Sequence, residues 1–219
     1  MGRRYIKIIS IITSVFLIVF LLSAFPAACS PPVAGGSKTG EPSVTPTPAN
    51  SNDLSYLINE NPAEIDASKL PITPTDKLHP KGTPPSVDTS DYRLSLTGQV
   101  INERSLSYDD ILSYPSTTET VLLICPGLFA DNARWTGVSM REILADAKPK
   151  EGASWVTFRA FDGYEMSFSL DTIAKDDILL AYKVNGDTLP LAHGYPVRLV
   201  IPGKYGFYWV RWINSIEVG

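Results

Sequence analysis

The sequence predicts an α+β domain, strand-rich, with mostly antiparallel sheets and short helices. Three observations predict it. Short alternating or apolar runs recur from residue 91 onward, bounded by Gly, Pro and Asn turn signals. Only two segments combine helical periodicity with a capping residue, and both are brief. The C-terminal third is read as strands and turns throughout.

Each element follows from its own residues. "YRLSLTG" alternates and stops at Gly98, as a half-buried strand does. "SYDDILSY" offers Ser107 as N-cap with two acids in the first turn, which predicts a short helix. "TETVLLI" reads as a buried strand ending at Cys125, where a Pro-Gly loop takes over. "SMREILADA" opens with Ser139 and Glu142 at capping-box spacing, and Met140, Ile143, Leu144 and Ala147 form its apolar stripe. "SWVTFRA" and "YEMSFSL" predict two strands joined by "FDG", and "ILLAYKVNGDTLP" predicts a hairpin around Asn185-Gly186. "PVRLVIPG", "YWVRWI" and "SIEV" are expected to be the remaining strands.

The first ninety residues are of a different kind. Arg3, Arg4 and Lys7 precede an apolar run from Ile8 to Phe25, followed by "PAACS". That order is a secretory signal, residues 1–28, which predicts an extracytoplasmic location. Cys29 after Ala27-Ala28 resembles a lipoprotein box and is the expected lipidation site. An uncleaved membrane anchor is the alternative, since the apolar run nearly spans a bilayer. "GRRYIK" also resembles a twin-arginine signal, beside the plainer reading of an ordinary basic n-region. Residues 29–52 are Pro, Ser, Thr and Gly with almost no bulky side chain, hence a disordered tether. Residues 53–90 are too rich in proline for long helices or central strands and read as an extended arm over a domain at 91–219.

Charge limits the partners. The 219 residues carry a formal charge of −4, and loss of the three leader cations leaves 16 basic against 23 acidic residues, or −7. With no basic run to neutralise phosphates, nucleic acid is not an expected partner.

Cys125 admits four readings. A disulfide would need Cys29, the other cysteine of the chain, which lies at the membrane end of the tether. A core cysteine is the ordinary case. A nucleophile would call on a histidine such as His193. A soft metal ligand is the fourth.

The segment "ILLAYKVNGDTLPLAHGYPVRLVIPGKYGFYWVRWINSIEV" closely resembles the molybdopterin-binding domain of the sulfite oxidase family, which includes nitrate reductases and a periplasmic methionine-sulfoxide reductase subunit. "YRLSLTG", the strand ending in cysteine, "WTGVSMREIL" and "DGYEMSFSL" follow in the family's order, from about Leu70 to Gly219. The resemblance implies a sulfite oxidase-type fold and a molybdenum cofactor with a single pterin. It implies that Cys125 is the catalytic metal ligand through its thiolate. By the "HGxPxR" segment it implies cofactor contacts from His193 and Arg198, and by the strand that follows, from Trp209, Val210 and Arg211. Lys204 and Asp162 are further cofactor-binding candidates, and Trp135 is expected to be a packing residue. Two positions depart from the family: Tyr208 stands where a basic residue is common, and Arg211 replaces a usual lysine.

The implied function is two-electron oxygen-atom transfer on a small substrate by a membrane-tethered oxidoreductase. Electrons are exchanged with a separate carrier, such as a haem protein or a quinone-linked membrane subunit. No arginine follows Cys125 before Arg134, so sulfite is not the assured substrate. No CxxCH haem motif occurs and the resemblance runs to "SIEVG", so an architecture near the methionine-sulfoxide reductase subunit is expected. A cofactor-free scaffold that keeps the fold is the alternative.

Overall fold

The structure, a computed structural model, describes residues 53–88 and 90–219. The signal at 1–28, the tether at 29–52 and Cys29 lie outside the described residues. In chain order the first strands are β1 (Leu94–Gly98), β2 (Arg104–Leu106), β3 (Ser116–Cys125), β4 (Phe129–Ser139) and β5 (Trp155–Ala160). Then come β6 (Glu165–Ser169), β7 (Leu179–Val184), β8 (Asp187–Thr188), β9 (Arg198–Val200) and β10 (Ile213–Val218). Three short helices interrupt them: α1 (Tyr108–Ser113), α2 (Met140–Ala147) and α3 (Leu170–Ile173).

The strands form two sheets. One has the order β2-β1-β10-β5-β6, the other β3-β4-β7-β8 with β9 also against β7. Every pair is antiparallel except β1 with β10. The α+β class read from the sequence is therefore the observed one.

The helix caps are those the residues dictate. Ser107 Oγ accepts from the Asp110 amide at 3.1 Å while Asp110 Oδ2 accepts from the Ser107 amide at 2.8 Å. These two bonds satisfy two donors that a helix start leaves orphaned. Ser139 Oγ caps α2 by accepting from the Glu142 amide at 3.3 Å, with no return bond from the Glu142 side chain among the described residues, and all four stripe residues of that helix are buried. At the β7–β8 turn Asn185 and Gly186 both have positive φ, 51° and 93°, as a two-residue hairpin requires.

One expectation fails. "YWVRWI" is not a strand: Gly206–Tyr208 form a 3₁₀ turn, and Trp209 to Trp212 run irregularly before β10. Trp212 adopts φ 53°, and its indole N–H donates to the Leu191 carbonyl at 2.6 Å. Side-chain anchors and single backbone bonds, from the Leu199 amide to the Val210 carbonyl at 2.8 Å and from the Phe161 amide to the Trp212 carbonyl at 3.0 Å, hold this segment in place of a ladder. The sequence also concealed β4, whose buried Asp131 and Asn132 interrupt the apolar pattern.

Strand β3 explains how the site is built. Val121 and Leu123 face the main core, while Leu122 and Ile124 face a second cluster with Leu54, Leu57 and Ala130. Period-two alternation thus buries both faces of an unbroken apolar run. The arm supplies the second cover, through four 3₁₀ turns between Ser55 and Lys77. Asn132 pins it, donating from its amide to the carbonyls of Ala67 at 3.0 Å and Leu70 at 3.2 Å.

Beyond the core, Asp146 binds Arg104 through two bonds of 2.7 Å and accepts a third from the Tyr114 hydroxyl. These hydrogen bonds, Arg104's first, hold the Asp146 carboxyl down at about 2. Its folded value lies below its unfolded one, so the stabilisation is complete above about pH 4 and is lost as pH falls toward 2. The pair is a third exposed, and screening limits its worth to about 1 kcal/mol. Urea denaturation of Asp146→Asn against the parent is expected to show that deficit at neutral pH and a progressively smaller one as pH falls from about 4 through about 2.

Candidate cofactor site

Cys125 is the last residue of β3, paired with Phe129 across a tight hairpin in which the Leu128 amide donates to the Cys125 carbonyl at 3.0 Å. A ten-residue strand thus fixes the sulfur's position. Alternation puts Cys125 on the side of Leu123, and both line a cavity of about 580 Å³. That volume suits a cofactor or small ligand. The thiol is buried, 8% exposed, yet it faces this cavity rather than a sealed interior. Its polar neighbour is the Lys81 ammonium, with Nζ 3.6 Å from Sγ.

Across the cavity stand the residues of "AHGYPVR". Leu191–His193 form a 3₁₀ turn ended by Gly194 at φ 115°. The turn's carbonyls grip two guanidinium groups: Arg198 donates to the His193 carbonyl and Arg211 to that of Ala192, both at 3.0 Å. Glycine is required here. A Cβ on Gly194 would lie 2.9 Å from the Cβ of Arg198 and 3.1 Å from that of Arg211. Gly194→Ala is therefore expected to displace both arginines, lowering Tm and cofactor retention together, as thermal melts and metal analysis will report.

Arg198 decides the character of the site. It is 4% exposed, and its guanidinium carbon lies 4.8 Å over the Trp135 ring and 5.4 Å over that of Trp209. Its Nε has no hydrogen-bond partner. No ion pair among the described residues includes Arg198 or Arg211. Burial, and then the proximity of Arg211, push Arg198 down to about 9, which still leaves it a cation at neutral pH. Burial lowers Arg211 as well. Burial, then Arg198, also lowers His193, so its ring is held neutral. A buried cation with an orphaned donor is costly unless an anion completes it.

The residues therefore fit the implied group. A phosphate-bearing pterin would supply the anion that Arg198 and Arg211 lack, and a metal held by that pterin would find a soft sulfur donor in Cys125.

Most of the residues singled out from the sequence converge on this one cavity: Cys125, Asp162, His193, Arg198, Trp209 and Arg211. Two do not. Val210 is packed in the core, with its N–H bonded to Tyr208 and its carbonyl to Leu199. Lys204 turns away, its ammonium 5.9 Å from the Tyr208 ring centroid. Trp135 is a packing residue, 1% exposed, that also forms the wall under Arg198. Sequence reasoning missed His79 and Lys81 on the arm and Asp131 on β4. Asp131, 3% exposed, accepts from the His79 amide at 2.8 Å through Oδ2, and its Oδ1 meets His79 Nδ1 at 2.9 Å. A carboxylate inside an apolar stretch was the available signal.

The chain is 32% identical to sulfite oxidase of Arabidopsis thaliana, over 67% of its own length and 47% of that protein's. It is 30% identical to a nitrate reductase [NADPH] of Fusarium oxysporum, over 60% of its length and 18% of the relative's. The crystal structure of the sulfane dehydrogenase SoxCD from Paracoccus pantotrophus superposes with a TM-score of 0.63 at 27% identity, covering 69% of this chain and 45% of that one. The chain thus spans less than half the length of each. The family model described as oxidoreductase molybdopterin binding domain matches residues 81–219, so this chain belongs to that family and has its molybdenum-pterin cofactor and sulfite oxidase-type fold.

Proposed function

We propose that the chain is an exported, membrane-tethered oxidoreductase that transfers two electrons and one oxygen atom at a small substrate, exchanging electrons with a separate carrier. One observation carries the reading: a buried, unpaired Arg198 faces the same cavity as the strand-end sulfur of Cys125. The relatives are a sulfite oxidase and a nitrate reductase, both oxidoreductases by name. The leader, with Arg3, Arg4 and Lys7 before an apolar run and Cys29 after it, supports export and a lipid tether or anchor.

The roles follow from position. Arg198 and Arg211 hold the cofactor's anionic and carbonyl groups, Arg198 with a fork fixed by the His193 carbonyl and two indole faces. His193, neutral and buried beside them, offers a ring donor or acceptor without adding charge. Cys125 binds the metal through sulfur, and the Lys81 ammonium lies 3.6 Å from that sulfur. The bound cofactor supplies the two-electron chemistry. Trp135, Trp209, Tyr164 and Phe207 wall the cavity, while the Tyr164 hydroxyl donates to the Phe207 carbonyl at 2.6 Å and braces the rim. The electron carrier is a haem protein or a quinone-linked membrane subunit.

Expression of the full chain in a host that makes the cofactor tests the proposal. Near-stoichiometric molybdenum and pterin in the purified protein is the expected result. A folded protein with neither favours the cofactor-free scaffold.

A further inference from the structure

We propose that His79, oriented by Asp131, is the proton-transfer residue of this cavity. The inference rests on the oxygen-atom-transfer reading and deepens it. Reduction of an oxygenated substrate XO takes two electrons from the carrier and two protons, and yields X and water. The opposite direction takes water, gives XO, and releases the same two electrons and two protons. Either way protons must pass between cavity and solvent on each turnover, and general acid–base catalysis needs a group placed for it.

Asp131 is the carboxylate of β4 that sequence patterning would exclude from a strand interior, and it commits one oxygen to the His79 amide and the other to the His79 ring. A clamp for the arm needs only the first bond. The second fixes the ring. With the carboxylate ionised, Nδ1 carries the proton and donates, which leaves Nε2 as the free nitrogen. Phe129 stacks on the ring at 4.9 Å between centroids and 16° between planes, which restricts rotation. The side chain is 57% exposed and lines the cavity, so it is in reach of both water and the site.

Other groups of the cavity are less suited. His193 is buried and held neutral by its surroundings and by Arg198. Arg198 and Arg211 are fixed on carbonyls as cations. The charges facing His79 are Lys81 from its own arm, Asp131 from β4, Asp162 from the β5–β6 turn and the two arginines opposite. Histidine is the side chain whose ordinary pKa lets it both give and take a proton near neutrality.

The chain has two histidines, so imidazole ¹⁵N NMR on the full protein resolves His79 by comparison with His193→Asn. The expected wild-type signal is an Nδ1–H tautomer whose preference is lost in Asp131→Asn. Turnover is followed on the cofactor-loaded protein with two probes, dimethyl sulfoxide with reduced benzyl viologen and sulfite with ferricyanide. His79→Ala is expected to keep its molybdenum, to lose about 100-fold in turnover with one limb of the pH profile, and to recover on addition of free imidazole. A His79 ring without the Nδ1–H preference, or one whose tautomer is unchanged in Asp131→Asn, overturns the proposal, with or without turnover of a probe. So does a His79→Ala protein with the wild-type rate and profile, or one slowed equally at every pH and deaf to imidazole, which is the signature of a structural clamp. Wild-type protein lacking molybdenum defeats the function reading and this one together, whereas loaded protein with an unmoved pH profile defeats this one alone.

Discussion

Arg198→Met will separate the empty protein from the loaded one. In the empty protein the substitution removes a fully buried cation whose Nε has no partner, and leaves a flexible apolar chain between Trp135 and Trp209. Losses oppose that gain: the bond to the His193 carbonyl, and cation–π contact of about 0.5–2 kcal/mol. Exchanging buried charge for apolar volume is often neutral or stabilising by about 1–4 kcal/mol. Stability without cofactor is therefore expected to hold or rise by about 1 kcal/mol, measured by urea denaturation. In the loaded protein the same change deletes charge-assisted hydrogen bonds of about 1.5–3 kcal/mol each. Two such bonds correspond to at least about 100-fold in retention of the pterin, measured as residual molybdenum after dialysis. A stabilising or neutral change that empties the site marks an arginine kept for its ligand. Severe destabilisation with the cofactor retained marks one kept for the fold.

Cys125→Ser will leave the strand and lose the chemistry. Sulfur and oxygen differ little in volume, and the side chain sits at a strand end on a cavity wall where small changes relax. The melting temperature is expected to move by only a few degrees. Loss of groups that merely orient a metal ligand costs about 10–100-fold in metal affinity or activity, so loss of the ligand itself is expected to exceed 100-fold in turnover. The other readings of this thiol predict differently. A core cysteine predicts no change in turnover. A thiol–histidine dyad predicts rapid alkylation of loaded wild-type protein, although no hydrogen bond joins Cys125 to His193 among the described residues and Lys81 is the partner of Sγ.

Local signals were legible and distant ones were not. Ser107 and Ser139 announce their helices because a cap is a contact over three residues. Asn185-Gly186 announces its hairpin because both residues tolerate positive φ. Cys125, His193 and Arg198 were found through a family pattern that keeps order along the chain. Strand β4 stayed hidden because Asp131 and Asn132 are buried polar residues whose partners, His79 for the Asp131 carboxylate and the Ala67 and Leu70 carbonyls for the Asn132 amide N–H groups, lie more than fifty positions away. For the same reason the arm read as an uncommitted cover, while it in fact brings Leu78, His79 and Lys81 to the cavity. "YWVRWI" misled in the opposite direction: its aromatic alternation is that of a strand, but Arg211 and Trp212 are drawn to the carbonyls of Ala192 and Leu191 and break the ladder. Val210 entered the candidate site on alignment alone, and its backbone is already bonded inside the protein.

X-ray absorption at the molybdenum edge addresses the centre of the account directly, with wild-type and Cys125→Ser protein prepared from the same cofactor-competent host. The account predicts that the metal in the wild type has one more sulfur neighbour than any metal retained by the variant. An identical sulfur shell in both proteins, at equal occupancy, would contradict it.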